Sequence, residues 1–185
     1  MRALRNPART VLAAALAATA LLACSGAAVQ APYRAPEFTH RAPADWLNSA
    51  PLELGKLRGK VVLVEFWAFE CVNCLNSRAW VESEAQAKAN AGLVVVAVHT
   101  PELRDERSSD NVRAAVARLA IHYPVMIDGD YSYWNALGNQ YWPAFYLIGR
   151  DGLVHGRALG ELHVGDGSAR PVETLIDQLL AASQP

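Results

Sequence analysis

An apolar run that ends at a closely spaced cysteine pair constrains the fold of this chain more than any other feature. Residues 61–67 read Val-Val-Leu-Val-Glu-Phe-Trp, and Cys71-Val72-Asn73-Cys74 follows after three further residues. An almost unbroken apolar run of this length is typical of a strand that is buried on both faces. A helix is expected over about residues 71–90, with Gly92 close to its end. The pattern therefore predicts a buried strand that delivers two thiols to the start of a helix.

The position of the two cysteines indicates redox chemistry. At the start of a helix, the Cys71 thiol would lie at the positive end of the helix dipole, which stabilises its thiolate. Cys74 can then close an internal disulfide and release the product of the attack by Cys71. We therefore expect thiol–disulfide exchange, with the disulfide between Cys71 and Cys74 as the redox group and with no other cofactor and no metal.

The first 23 residues have the pattern of a signal peptide. Three arginines precede the Ala/Leu-rich residues 11–23, a run too short to span a bilayer comfortably. The run ends in Leu-Leu-Ala-Cys24, which resembles a bacterial lipobox, where cleavage precedes a cysteine that then receives lipid. Ordinary cleavage near Ala27 or Ala28 is the alternative. We expect an exported protein that is attached to the membrane by lipid at Cys24 and faces the periplasm.

Cysteine usage and charge restrict the possible partners. The chain has three cysteines, so lipidation of Cys24 would leave one close pair, which is not the pattern of a disulfide-stapled scaffold. Residues 24–185 carry 14 basic and 18 acidic residues, a net charge near −4 with neutral histidines. We expect neither a nucleic-acid-binding surface nor a polybasic membrane surface from this balance.

The rest of the chain divides into a linker and one domain. Residues 24–44 are rich in Ala and Pro with little periodicity, which predicts a flexible tether. Residues 45–185 alternate strand and helix patterns, as in an α/β sheet with helices on both faces. Strands are predicted at 52–54, 61–67, 93–98, 144–148 and 153–159. Helices are predicted at about 71–90, 109–121, 131–137 and 171–182, and the charged run 102–107 is expected to be a solvated loop.

An ordered set of motifs resembles the thioredoxin fold. Val-Glu-Phe-Trp-Ala-x-x-Cys-x-x-Cys at residues 64–74 is followed some 70 residues later by Trp142-Pro143. The chain is similar to the TlpA-like branch and, within it, to the thioredoxin-like domain of DipZ-type proteins. Leu-Arg-Gly-Lys at 57–60 and Val-His-Thr-Pro-Glu at 98–102 are among the further matching segments. The matches cover nearly all of residues 45–183, so they are much more specific than Cys-x-x-Cys alone.

The resemblance implies the roles of the two cysteines and of Pro143. Cys71 matches the nucleophilic cysteine, and Cys74 matches the resolving cysteine. Pro143 matches a proline that is cis in this fold and lies against the disulfide, where the preceding backbone is free to pair with a bound substrate. Trp142 itself looks like part of an aromatic packing cluster, although it could line the substrate groove beside Pro143.

Four other residues near the motif are candidates for supporting roles. Glu65 matches a buried acid that can accept the proton of Cys74, although it could instead be a partly exposed residue at a strand end. Trp67 matches a tryptophan that packs beside the active-site loop. Glu70 directly precedes Cys71, and its carboxylate would raise the pKa of that thiol. His99 follows a buried strand and is expected to be structural, with tuning of a cysteine or metal binding as the alternative.

The residues between and just before the cysteines favour a reductase. Strong oxidants stabilise the reduced state by a cation or dipole near the nucleophile, whereas Val72-Asn73 contains no histidine and Glu70 is acidic. We therefore expect a protein that reduces disulfides of exported proteins. DipZ-type proteins usually carry this domain fused to a membrane electron conduit, for which this sequence shows no segment. A membrane thiol donor acting in trans is therefore expected.

Two other functions are less favoured by the motif. A copper-binding protein could use Cys71, Cys74 and His99 as soft ligands, but thioredoxin-like copper proteins usually have a wider cysteine spacing. A thiol peroxidase usually has threonine three residues before its cysteine, where this chain has Ala68.

Overall fold

The computed structural model describes residues 31–183, so the predicted signal peptide and Cys24 lie outside the described residues. The seven strands are β1 (Tyr33–Arg34), β2 (Trp46–Leu47), β3 (Val61–Trp67), β4 (Leu93–His99), β5 (Val125–Ile127), β6 (Ala144–Ile148) and β7 (Leu153–Leu159). The four α-helices are α1 (Val72–Lys88), α2 (Ser109–Arg118), α3 (Ser132–Ala136) and α4 (Arg170–Ala181). No helix within the described range is long and apolar enough to cross a membrane.

One mixed sheet contains all seven strands, in the order β1-β7-β6-β3-β4-β5-β2. The central strand β3 pairs in parallel with β4 and antiparallel with β6, and all seven of its residues are buried. Such burial on both faces explains why β3 reads as a continuous apolar run and not as an alternating pattern. The predicted buried strand that precedes the cysteines is confirmed.

Helices cover both faces of this sheet. The parallel connections β3–α1–β4 and β4–α2–β5 run in the same direction across the sheet, and the right-handed crossover rule therefore places α1 and α2 on one face. Trp80 of α1, Val116 of α2 and Ile176 of α4 share a single apolar core on that face. Tyr133 of α3 belongs to the core of the opposite face. The predicted thioredoxin-like α/β fold is confirmed.

The structure corrects the tether predicted for residues 24–44. Residues 33–44 belong to the folded domain, because β1 pairs with β7 and the following segment packs on the sheet. Phe38 is buried and lies 5.5 Å from the Trp46 ring and 5.1 Å from the Tyr133 ring, measured between ring centroids. A single buried aromatic side chain holds this segment on the sheet. The Ala/Pro-rich sequence around it therefore has no periodic apolar pattern that would predict the contact. The first part of the predicted tether lies outside the described residues.

Two further differences concern short elements. The strand predicted at 52–54 is wrong, because a 3₁₀ turn at Leu54–Leu57 occupies this position. The Glu37 carboxylate accepts hydrogen bonds from the backbone N–H groups of Leu54 and Gly55, which are therefore not available to a neighbouring strand. The short strands β2 and β5 were not predicted, since two or three residues give no detectable alternation.

Candidate active site

The two cysteines lie where β3 passes into α1. Cys71 is the N-cap residue of α1 and forms a disulfide with Cys74, with the two Cα atoms 5.2 Å apart. The backbone N–H of Cys74 donates a hydrogen bond to the Cys71 Sγ at 3.2 Å. Cys71 is 8% exposed and Cys74 is 1% exposed. Cys71 is therefore the more accessible of the two cysteines, and Cys74 is the more deeply buried.

The start of α1 favours a negative charge on Cys71. The helix has 17 residues, and the N–H groups of its first turn have no partner within the helix. These groups and the helix dipole stabilise a thiolate at the N-cap, which makes Cys71 reactive near neutral pH. Ser77 anchors this turn, because its Oγ donates to the Asn73 carbonyl at 3.0 Å and accepts the N–H of Leu162 at 3.1 Å.

Glu65 is a buried acid on the same face of the sheet as α1. Its side chain is 2% exposed, which rules out the alternative of a partly exposed strand-end residue. Burial raises the pKa of Glu65 to about 8, and the Arg78 guanidinium acts in the opposite direction. Arg78 lies four residues after Cys74, on the same face of α1. Leu63 and Trp67, which share this face of β3 with Glu65, pack in the same core as Cys74, so the acid and the resolving cysteine lie on the same side of the sheet.

The pair Trp142-Pro143 lies at the same edge of the sheet as the cysteines. The peptide bond between them is cis, as the resemblance implied. The β3–β6 register places Ala144 opposite Phe66, so Pro143 lies near the carboxyl end of β3, from which the cysteine loop departs. The Pro143 carbonyl accepts the N–H of Gly160 at 2.9 Å.

A buried carboxylate that the sequence did not reveal supports Trp142. The Trp142 ring packs on the Trp134 ring with centroids 4.1 Å apart, and its Nε1 donates to the Thr100 carbonyl at 3.0 Å. Asp128 is fully buried. Its carboxylate accepts hydrogen bonds from the Thr100 hydroxyl and from the backbone N–H of Trp134, each at 3.0 Å. Asp128 thus holds both neighbours of Trp142. Because Asp128 follows β5, which was not predicted, no sequence signal placed it near the site.

A second buried carboxylate holds the loop before Cys71. Glu106 is 1% exposed, although the run 102–107 was expected to be solvated. One of its oxygens accepts the backbone N–H of Glu70 at 2.8 Å. The other accepts the N–H groups of Glu102 and Leu103, both at 2.7 Å. The side chain of Glu70 itself is exposed, where solvent screens its effect on the Cys71 thiol.

His99 is a packed aromatic residue beside the cysteine loop. Its ring stacks on Phe69 at 5.4 Å and meets the edge of Trp67 at 5.2 Å, measured between centroids. Trp67 is itself buried, as expected of a residue that packs beside the loop. Burial lowers the pKa of His99 to about 4, so the imidazole is neutral at pH 7. Neither of its buried ring nitrogens has a hydrogen-bond partner among residues 31–183, so aromatic packing and not hydrogen bonding holds the ring.

One cluster of potential metal ligands does not include the cysteines. Within residues 31–183, one group of three potential metal-ligand atoms lies within 4.8 Å, formed by His40, Asp128 and Asp130. It contains neither cysteine nor His99.

A cysteine pair at the start of a helix, with a buried acid on the same side of the sheet and a cis proline at the same end of the central strands, is the arrangement of a thioredoxin-like thiol–disulfide exchange site. The chain belongs to the Redoxin family, whose model matches residues 30–176.

The similarity extends to individual relatives. The chain is 41% identical over 143 residues to DipZ from Mycobacterium tuberculosis strain CDC 1551, which covers 76% of this chain and 20% of DipZ. It thus spans about a fifth of the length of that relative. It is 27% identical over 139 residues to the thiol-disulfide oxidoreductase YkuV from Bacillus subtilis strain 168, covering 75% of this chain and 90% of YkuV.

A solved structure shows the same fold. The crystal structure of a thiol-disulfide isomerase from Corynebacterium glutamicum superimposes with a TM-score of 0.68. The superposition covers 80% of this chain and 98% of that chain, at 22% sequence identity. At this identity the likeness supports the thioredoxin-like fold.

Proposed function

We propose that this oxidoreductase is an exported, membrane-tethered reductase of protein disulfides. The observation that carries the proposal is the pair of unequal cysteines at the start of α1, with Cys71 8% exposed and Cys74 1% exposed. Disulfides of exported proteins would be its substrates, and a membrane thiol protein acting in trans would return electrons to it.

The first step of the reaction is an attack on the substrate. The Cys71 thiolate forms a bond to one sulfur of the substrate disulfide, the substrate S–S bond breaks, and the other substrate sulfur leaves as a thiolate. The mixed disulfide then lies at the edge of the sheet that carries Trp142 and Pro143. Two exposed apolar side chains, Val72 and Tyr141, flank this edge and offer contact area to a polypeptide.

The second step releases the reduced substrate. The Cys74 sulfur attacks Cys71, the mixed disulfide breaks, and the second substrate sulfur leaves as a thiolate. The Cys74 thiol must lose its proton for this attack, and the carboxylate of Glu65 can accept it. Two electrons pass to the substrate, and the disulfide between Cys71 and Cys74 re-forms. A donor dithiol is then oxidised as it reduces this pair again.

The charges near the cysteines support the direction of transfer. The first turn of α1 carries no cation, and His99 is neutral at pH 7 because burial lowers its pKa. The buried Glu106 carboxylate accepts a hydrogen bond from the backbone N–H of Glu70, the residue before Cys71. A negative environment disfavours the thiolate, and so favours the disulfide form of the protein and electron donation to substrates.

The direction can be tested with two matched assays. With dithiothreitol as electron source, catalytic amounts of residues 24–185 are expected to accelerate insulin reduction, measured as turbidity. The oxidised protein, mixed with reduced unfolded ribonuclease A, is expected to restore little ribonuclease activity. Efficient oxidation of ribonuclease together with weak insulin reduction would contradict the proposed reductase.

The membrane tether is tested by replacing the proposed lipid-bearing residue. Expressed with its signal sequence in a bacterial host, the wild-type protein should remain with membranes after a high-salt wash and incorporate an alkyne-labelled fatty acid. Cys24→Ala is expected to abolish the label and release the protein. Wild-type protein that is soluble and unlabelled would contradict the anchor and favour ordinary cleavage near Ala27.

A further inference from the structure

We propose that Glu106 is a positioning residue that sets the reduction potential of the cysteine pair. Through its hydrogen bond to the Glu70 N–H, its carboxylate holds the residue before Cys71 and fixes a buried negative charge beside the nucleophile. The inference deepens the proposed function, on which it rests, because it concerns the same two cysteines.

Glu106 joins two loops that come from different strands. The cysteine loop leaves the end of β3, and the loop containing Glu102 and Leu103 leaves the end of β4. Three backbone N–H groups, one from the first loop and two from the second, converge on the two oxygens of Glu106 at 2.7–2.8 Å. Charge-assisted hydrogen bonds of this length are strong, and burial strengthens them further.

This arrangement requires a carboxylate. Oε1 faces the N–H of Glu70, and Oε2 faces the two N–H groups of the second loop, so both oxygens act as acceptors. A glutamine has one amide oxygen and one NH₂ group, which can only donate. Glutamine could therefore satisfy one loop, while its NH₂ group would face the donors of the other.

Within residues 31–183, Glu106 takes part in no salt bridge. Burial lowers the pKa of His99, and the charge of Glu106 raises it by a smaller amount, so the imidazole is neutral at pH 7 and does not balance the Glu106 charge. Arg104 and Arg107 are exposed residues of the 3₁₀ turn Arg104–Arg107, which also contains Glu106. The Arg107 guanidinium lies over the Tyr131 ring at 5.6 Å. Glu70 adds a further negative charge on the solvent side. The Cys71 thiolate thus forms beside a fixed negative charge.

The expected consequence is a lower reduction potential. A neighbouring negative charge destabilises the thiolate and raises the pKa of Cys71. Because the reduced form contains this thiolate, its destabilisation favours the disulfide and makes the pair a stronger electron donor. The sequence suggested this effect for Glu70, whereas the buried position of Glu106 makes it the more effective charge.

The test compares Glu106→Gln with Asp105→Asn, which removes the same charge from an exposed neighbour on the same turn. Two quantities are measured on each protein: the pH profile of Cys71 alkylation by iodoacetamide, and the equilibrium with glutathione. For Glu106→Gln we expect the alkylation profile to shift down by about one pH unit. We expect the equilibrium to shift about tenfold toward the dithiol, or about 30 mV. Asp105→Asn should change both quantities by less than about twofold.

Glu106→Asp keeps the charge but withdraws it by one methylene group from the Glu70 N–H. We expect its potential to fall between those of wild type and Glu106→Gln, and it carries the test if the glutamine variant does not fold. Variants that lose thermal stability but keep the wild-type alkylation profile and potential would show a structural role only and overturn the inference. If the wild-type pair does not exchange with glutathione at all, the proposed function fails, not this inference alone.

Discussion

Cys71→Ser is expected to abolish disulfide reduction, whereas Cys74→Ser is expected to stop the reaction at the mixed disulfide. Cys71 is the more exposed sulfur and the one at the helix start, so only its thiolate can open a substrate disulfide. In the insulin assay, Cys71→Ser should lower the catalysed rate by about a thousandfold or more, to the level of dithiothreitol alone. Cys74→Ser should form a covalent adduct with insulin that mass spectrometry detects and dithiothreitol removes.

The two cysteine variants are controls for one another. Each replaces one sulfur by oxygen at a buried or nearly buried position and removes the same disulfide, so loss of the cross-link affects both equally. A stable adduct formed by Cys71→Ser, or full activity of either variant, would contradict the assignment of nucleophile and resolving thiol.

Glu65→Gln is expected to increase the stability of the oxidised protein in a pH-dependent way. Burial raises the pKa of Glu65 from 4.5 in the unfolded chain to about 8 in the folded protein. Between these values the unfolded state ionises and the folded state does not, so ionisation increasingly favours unfolding as the pH rises. The free energy of unfolding of the wild-type protein therefore falls as the pH rises from about 4.5 to about 8. Glu65→Gln does not show this fall, because glutamine does not ionise. The stability of the variant relative to wild type should increase by about 3 kcal/mol between pH 4.5 and pH 7.

Urea unfolding of both proteins across this pH range measures the difference. Glu70→Gln removes a carboxylate from the exposed residue before Cys71 and should leave the pH dependence unchanged. A constant difference between Glu65→Gln and wild type at all pH values would contradict a raised pKa of Glu65.

The same variant is expected to release reduced substrate slowly. Glutamine cannot accept the proton of Cys74, so the mixed disulfide should persist longer. Removal of one general base typically costs about a hundredfold or more in rate. In single-turnover experiments, wild-type resolution should accelerate as the pH rises toward about 8 and Glu65 ionises. Glu65→Gln should lack this acceleration, and resolution at the wild-type rate would contradict the role of the acid. A residue that lowers stability but speeds turnover is a common feature of active sites.

The sequence allowed the central part of the fold to be predicted because burial and chemistry coincide there. β3 is buried on both faces, so its apolar run is visible without an alignment. The approximate boundaries of α1 followed from Cys71 at its start and from Gly92, which has a φ of +103° and ends the 3₁₀ turn Ala89–Ala91 that follows the helix. The buried position of Glu65 was implied by resemblance, and the structure supplies its physical consequence for the pKa.

The missed features depend on contacts between residues that are distant in sequence. Glu106 lies in a charged run that resembles a solvated loop, and only the approach of the cysteine loop makes it a buried acceptor. Asp128 similarly holds Thr100 and Trp134 through side-chain and backbone contacts. The segment around Phe38 was assigned to a tether because its anchoring partners come from later parts of the chain. Local patterns carry no signal for such contacts.

The equilibrium reduction potential of the cysteine pair tests the proposed reductase most directly. The wild-type protein, free of metal, is titrated against dithiothreitol and glutathione mixtures, and the thiols of Cys71 and Cys74 are counted by alkylation and mass spectrometry. A potential near that of thioredoxin, about −270 mV or lower, is the result that we predict. A potential near about −120 mV, as in strong periplasmic oxidants, would contradict electron donation and reverse the assigned direction.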